Sequence, residues 1–421
     1  MNNIGVMIGG ALLFFALILI SVGLHEVGHF IPGKLFKVRV LQFFIGFGKN
    51  IWKTQKGETE YGIKIIPLGG YVRMLGMYPP YKEGKDTRLK RMADAAREGE
   101  WELITDEDIA GNRLYYQKPL WQRLIIMFSG VGMNLILAFL LFAGVNLFYG
   151  QPETSLTIAR VSACVDSQAE ECVPPPAITM GLRVGDTVVR FNGTEVSNWS
   201  QLSDAIKASG EGMVQLSVDR DGKVIELPEV EGMYYVAEDP NNPGETIHVG
   251  FIGISMLRVM AKVGPGQTLK EMASMTGQVV KAIIKLPVSA WIAVVNMVTG
   301  QERDPNGPMS ILGASILAGD VAALDAPVGA RAAFFVQLLA SVNLFVGMMN
   351  LVPLLPFDGG HVAAGIFEGI RRWVAKLRGK PDPGPADTAK LLPVTYVMMA
   401  FLILIGAVFI IADIISPILL S

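Results

Sequence analysis

His25-Glu26-Val27-Gly28-His29 places two imidazoles four residues apart with a carboxylate between them. On an α-helix, residues i and i+4 share a face, so both rings can meet one cation. Glu26 falls at the edge of that face, where it can act as general base toward an attacking water. The chemistry of such a set is zinc-assisted hydrolysis. Two variable positions leave the pattern moderately specific by itself, and its context sharpens it. Residues 4–24, immediately ahead, contain no charged side chain.

Histidine is scarce elsewhere. Of the 421 residues only His25, His29, His248 and His361 are histidines, so any imidazole site is nearly enumerable. The chain is 51% hydrophobic and only 18% charged, with mean hydropathy +0.41. A soluble enzyme carries about 25% charged residues, so the composition indicates a multi-span membrane protein with a sizeable polar portion. A net charge of −2 offers nothing to nucleic acid.

The expected architecture is an α-helical membrane protein of four transmembrane helices. It adds short strands in a cytoplasmic loop and an inserted extracytoplasmic domain. The first helix (1–30) supplies the roughly 20 apolar residues a span needs. No Lys or Arg precedes Lys34 and no small-residue cleavage site follows, so this stretch reads as a span rather than a cleaved leader. Residues 31–122 are rich in Lys and Arg and belong on the cytoplasmic side. Within them, residues 38–45, 51–55, 60–66 and 71–75 read as short strands broken by glycine and proline. The charged run 82–109 reads as a solvated helix or connection.

A second span (123–150) carries Gly130, Gly132 and Asn134, small and polar residues that mark close helix packing. The polar portion that follows (151–262) contains Met180 to Val196, a turn, a strand, an Asn192-Gly193 hairpin and a second strand. Just ahead lie Cys164 and Cys172 in a Pro-rich loop. Outside the cytoplasm two cysteines at such spacing usually pair. Residues 263–333 begin with an apolar stretch bearing Lys270, Glu271, Lys281 and Lys285, which reads as an interfacial helix rather than a span. The third span (334–361) holds Asn343 and Asn350, is broken at Pro353 and Pro356, and closes in Asp358. A basic loop (362–391) and a fourth span with a short tail (392–421) complete the chain. Basic loops alternate with non-basic ends, which puts both termini outside.

That topology brings distant residues to one depth. The first and third spans both run inward, so Asp358 lands on the side of His25 and His29. A catalytic zinc takes three protein ligands and leaves one position open. An ionisable residue inside a span is a functional candidate by default, which makes Asp358 the expected third ligand. His361 is the runner-up, and His248 belongs to the polar portion, unrelated to the site.

With these motifs in view, the chain resembles the site-2 proteases, zinc intramembrane proteases, in their bacterial single-PDZ form. The resemblance runs over essentially the whole chain. Besides the two metal motifs it includes Gly46-Phe47-Gly48, Ile66-Pro67-Leu68-Gly69-Gly70-Tyr71-Val72, and Asn350 through Pro353 to Asp358-Gly359-Gly360-His361. The 180–196 stretch is similar to the core of PDZ domains. The cysteine pair and Gly313-Ala314-Ser315 are closest to actinobacterial members. The resemblance implies Zn2+ held by His25, His29 and Asp358, with Glu26 as base and Asn350 holding the substrate segment. It also implies a membrane-associated β-structure made by the strands of residues 38–75, in a multi-pass protein of the bacterial cell membrane whose active site lies toward the cytoplasm. The implied substrates are single-span membrane proteins such as anti-sigma factors or remnant signal peptides. One departure stands out: the family's Gly-Pro-x-x-Asn reads Gly130-Val131-Gly132-Met133-Asn134 here. The competing reading is a non-catalytic zinc-binding scaffold that recruits peptides through its PDZ domain.

Overall fold

The computed structural model describes residues 3–80, 88–164, 173–210, 212–238, 246–301, 303–305 and 307–418. The chain forms two compact units, Met1–Tyr149 with Gly264–Ser421, and Gly150–Val263.

The first unit opens with α1 (Asn3–Leu35), which carries both histidines. A β-hairpin follows, β1 (Val40–Lys56) and β2 (Thr59–Met74). The four short strands expected from the sequence are all there, joined into two continuous and sharply bent ones. Residues 42–45 of β1 pair on one side with 60–63 of β2 and on the other with 70–73, while 52–56 pair with 59–63. The bends sit where Gly46, Gly48 and Gly69 adopt φ near +90°, a conformation open to glycine and strained for other residues. Glu58, next to the hairpin turn, accepts a hydrogen bond from Lys34 at the end of α1, 2.8 Å long, and ties sheet to helix.

Six further helices build the bundle: α2 (Leu120–Phe148), α3 (Pro265–Thr299), α4 (Ile311–Ala323), α5 (Val328–Asn350), α6 (Asp358–Leu377) and α7 (Leu392–Ile415). Within the charged run 82–109, residues 88–101 are helical, and 81–87 lie outside the described residues. Five described helices, not four, are long and apolar enough to cross a membrane. The additional one is α3, read above as interfacial. Its charges all lie at or before Lys285, and the charge-free half beyond packs Ala290 and Ala293 against Ile405 and Phe409 of α7.

Helix directions follow from the contacts. α5 runs parallel to α1: Phe335 meets Phe14 edge-on at 5.1 Å, and the Asn343 amide donates to Ser21 Oγ over 3.2 Å. α2 runs the other way, with Ile126 beside His29 and Leu141 beside Phe14 and Ile18. α3 is antiparallel to α2, from Thr268 beside Asn146 to Val279 in the cluster around Ala138. α4 packs along α1, with Ala314 and Ala318 in the cluster of Phe14 and Ile18. A Cβ on Gly319 would stand 2.4 Å from the Met7 carbonyl, and one on Gly10 would stand 2.6 Å from Ala322 Cβ. Between helices in lipid there is no hydrophobic driving force, so close contact at small residues supplies the attraction.

The second unit holds a main antiparallel sheet with the helix Trp199–Ser209 against it. Its strands β3 (Gln151–Val161), β4 (Thr187–Phe191), β5 (Leu216–Arg220), β6 (Lys223–Glu226) and β7 (Ile254–Ala261) lie in the order β7-β3-β4-β5-β6. Alternating inward residues, among them Val188, Phe191, Leu216 and Val218, fill its core with Leu202 of the helix. First and last strands pair so that Gln151 stands opposite Ala261. Cys172 lies outside the described residues, and with it the expected pairing to Cys164.

Candidate metal centre

α1 presents His25 and His29 one turn apart into the bundle, 8% and 6% exposed. Glu26 beside them is also buried. Asp358 arrives from elsewhere. α5 ends at Asn350, and residues 351–357, with Pro353 and Pro356, form a turn out of which α6 starts at Asp358. Asp358 thus opens a helix rather than closing the third span as expected. The two prolines set up a sequence break, and the glycines behind Asp358 let the chain fold back tightly. A Cβ on Gly359 would stand 2.4 Å from the Leu351 and Val352 carbonyls, and one on Gly360 would stand 2.5 Å from Leu355 N.

Three donor atoms converge. His25 Nε2 lies 3.2 Å from His29 Nε2, and Asp358 Oδ2 lies 3.3 Å and 3.1 Å from the two nitrogens. Ligands around a tetrahedral zinc at about 2.0–2.1 Å stand about 3.4 Å apart, so this triangle matches three corners of such a site. The donor set, two imidazoles and one carboxylate, is one that zinc takes with a fourth position left open. Among the described residues this is the group of His, Cys, Asp and Glu side chains able to hold a metal ion.

The neighbouring elements fix the three donors. His29 Nδ1 donates to the Ile126 carbonyl of α2 over 2.8 Å, which sets the tautomer and turns Nε2 toward the cluster. Nδ1 of His25 is buried with no partner among the described residues. α1 and α2 touch at two glycines: a Cβ on Gly28 would stand 2.6 Å from the Ser129 carbonyl, and one on Gly130 would stand 2.2 Å from His29 Nε2. From the hairpin, Gly70 lies against Glu26, with room for no Cβ within 2.8 Å of Glu26 Cγ.

Beside the cluster is a cavity of about 470 Å³, lined among others by Glu26, Asn134, Asn350, His361 and the strand residues Gly70 and Tyr71. Asn350, expected to hold substrate, therefore reaches the same space as the three donors. His361 borders it one turn beyond Asp358 without joining the three-donor group. His248 lies in the second unit, stacked on Tyr234 at 4.1 Å. Val131, in place of the family proline, is fully buried in an unbroken α2.

Sequence reading named Gly130 for close packing and missed two other contributors. Gly70 acts by what it lacks, and a single sequence does not distinguish a close-approach glycine from a turn. Glu368 is fully buried on α6 and pairs with Arg123 at the start of α2, with one bond of 3.0 Å. The signal was present in Arg123 at the edge of an apolar span, but its partner lies 245 residues away.

Residues 13–381 match the model of peptidase family M50. The chain is 34% identical to zinc metalloprotease Rip1 of Mycobacterium tuberculosis, covering 97% of this chain and 98% of that one. It is 32% identical to Rip1 of Mycolicibacterium smegmatis over the same shares. Metalloprotease MmpA of Caulobacter vibrioides is 26% identical over 86% of each chain. With a family match that runs from the first span past Asp358, the chain belongs to peptidase family M50, the site-2 proteases.

Proposed function

We propose that the protein is a zinc-dependent intramembrane metalloendopeptidase that hydrolyses a peptide bond within the spanning segment of single-span membrane proteins. The observation that carries this reading is the His25, His29 and Asp358 triangle beside buried Glu26, inside a bundle of membrane-length helices. The triangle would hold Zn2+, which when bound supplies Lewis acidity and a water acidic near pH 7. Glu26 takes the proton of the attacking water and returns it to the leaving nitrogen.

Substrate binding follows from the sheet. A spanning helix hides its carbonyls in internal hydrogen bonds and must unwind before hydrolysis. The 69–72 segment borders the cavity, and 70–73 are paired on one side with 42–45. Its other edge pairs with no strand among the described residues and accepts an extended chain by strand addition. Asn350 holds that chain from α5. Suitable clients, such as anti-sigma factors or remnant signal peptides, carry one apolar span and little bulk outside.

The Gly150–Val263 unit is read as a PDZ domain on the extracytoplasmic side, which screens out substrates with bulky ectodomains. Cys164 and Cys172 pair there. α1 and α5 run from outside to inside, α2 and α7 back. α3 and α4 enter and leave as a pair, which keeps the direction of α5 and places both chain ends outside in a multi-pass protein of the bacterial plasma membrane. Cells carrying Glu26→Gln should accumulate single-span fragments, with zinc still bound to the purified variant. Undiminished cleavage by that variant would sink the proposal. Thiol labelling of intact cells, with and without reductant, tests the cysteine pair.

A further inference from the structure

Asn134 of α2 is 1% exposed and lines the cavity beside the metal cluster. Its Nδ2 is buried with no hydrogen-bond partner among the described residues. A buried donor left unpaired costs about 1–3 kcal/mol, and a spanning helix has no bulk water to supply a partner. A leucine would fill the same volume without that cost. The amide at this position is therefore matched to an acceptor that enters the cavity from outside the chain.

Its placement supports the same conclusion. Ile126, Gly130 and Asn134 are spaced i, i+4 and i+8, one stripe on α2. The first accepts the His29 Nδ1–H bond and the second makes room for the His29 ring. Asn134 is the next residue along that stripe, facing the cavity. Its Cβ is pinned by α5, 3.3 Å from where a Cβ on Gly347 would stand. The other asparagines of this wall differ. Asn343 donates its Nδ2 to Ser21 Oγ and the Leu339 carbonyl, and Asn350 is partly exposed.

We propose that Asn134 is a further catalytic residue, donating from Nδ2 to the carbonyl oxygen of the substrate bond being cleaved. The assignment rests on the protease reading above. As the water oxygen bonds to the carbonyl carbon, its proton passes to Glu26 and the C=O π pair moves onto the oxygen. Negative charge develops there, opposite the waiting amide. The pair returns as the C–N bond breaks and the nitrogen takes the proton from Glu26. A fixed donor aimed at that oxygen contributes about 10²–10³-fold to kcat.

The test uses the full-length zinc-loaded protein in lipid nanodiscs, as wild type, Asn134→Ala, Asn134→Asp, Asn134→Gln and Glu26→Gln. Two probes are titrated: N-phosphoryl-Leu-Trp, whose charged tetrahedral phosphorus imitates the reacting carbon, and acetohydroxamate, which only chelates the metal. Loss of the donor in the Ala and Asp variants should weaken the phosphoryl peptide at least tenfold, with zinc content and acetohydroxamate affinity unchanged. Asn134→Gln, which keeps an amide, should recover part of the loss. On a synthetic 25-residue span peptide, kcat should fall about 10²–10³-fold in the Ala variant, with KM within about twofold. Equal affinities for the phosphoryl peptide in wild type and the Ala variant overturn the assignment, as does a parallel loss for both probes. Wild-type kcat in Asn134→Ala beside an inactive Glu26→Gln overturns this assignment alone. Cleavage by Glu26→Gln at the wild-type rate overturns the protease reading itself.

Discussion

Gly130 and His29 stand so close that no side chain fits between them, a Cβ on Gly130 falling 2.2 Å from the imidazole Nε2. The same ring is held from its other nitrogen by the Ile126 carbonyl, 2.8 Å away. One helix thus both anchors the His29 ring and leaves the gap it occupies. Gly130→Ala should push Nε2 out of the three-donor triangle and weaken zinc by about 10–100-fold, the usual effect of disturbing a ligand's support. Competition with a chromophoric chelator measures it. Wild-type zinc affinity in that variant would show that α2 does not set the ring.

The ligand triangle also predicts a clean separation between metal and base. Asp358→Ala and His25→Ala should lose most bound zinc by atomic absorption, because a third of the donor set is gone. Glu26→Gln should keep its zinc and still be inactive. Phenanthroline should stop wild-type cleavage, and added zinc should restore it.

A buried ion pair stands behind Asp358. Glu368, on the helix that Asp358 opens, accepts from Arg123 and from the Ala386 backbone at 2.8 Å. Removing Arg123 leaves buried Glu368 with only the partly exposed Arg372, 3.1 Å away, as its charged partner, which costs part of the about 3–5 kcal/mol lost when a buried pair is broken. Arg123→Met should lower the thermal midpoint sharply, and the double variant Arg123→Met with Glu368→Met should recover much of it. Equal midpoints for the single and double variants would show that the two residues are not coupled.

In the second unit the titrating contact is Asp186. Arg220 reaches it with Nε and Nη2, both at 2.8 Å, and this hydrogen bonding holds the carboxyl below its ordinary range. The contribution to stability is then complete above the unfolded value of about 3.9 and vanishes as pH falls through the lower folded value. Amide protection in β4 and β5 of the full-length protein should drop on acidification. Arg220→Met should lower protection at neutral pH and flatten that dependence.

Much of this site could be read from residue spacing. Helical periodicity puts His25 and His29 on one face whatever surrounds them, and an acidic residue in an apolar region is conspicuous. The position of Asp358 at a helix start was hidden, because seven residues with two prolines allow several turns and only the packing of Gly359 and Gly360 selects one. The four strands were visible in their β-branched and aromatic composition. Their union into a bent hairpin was not, since a glycine in a strand signals either an end or a bend. α3 reads as interfacial from the charges clustered in one half, while its length and the apolar half that packs on α7 also suit a span.

The pairing of Gln151 with Ala261 gives the inserted unit one doorway. The chain leaves the membrane-helix unit and comes back to it through neighbouring positions on adjacent strands, so all of the 110 or so residues between form a cassette. Exchange, duplication or divergence of that cassette leaves His25, Glu26, His29 and Asp358 untouched in the sequence. The inserted unit and the metal centre are therefore free to evolve separately.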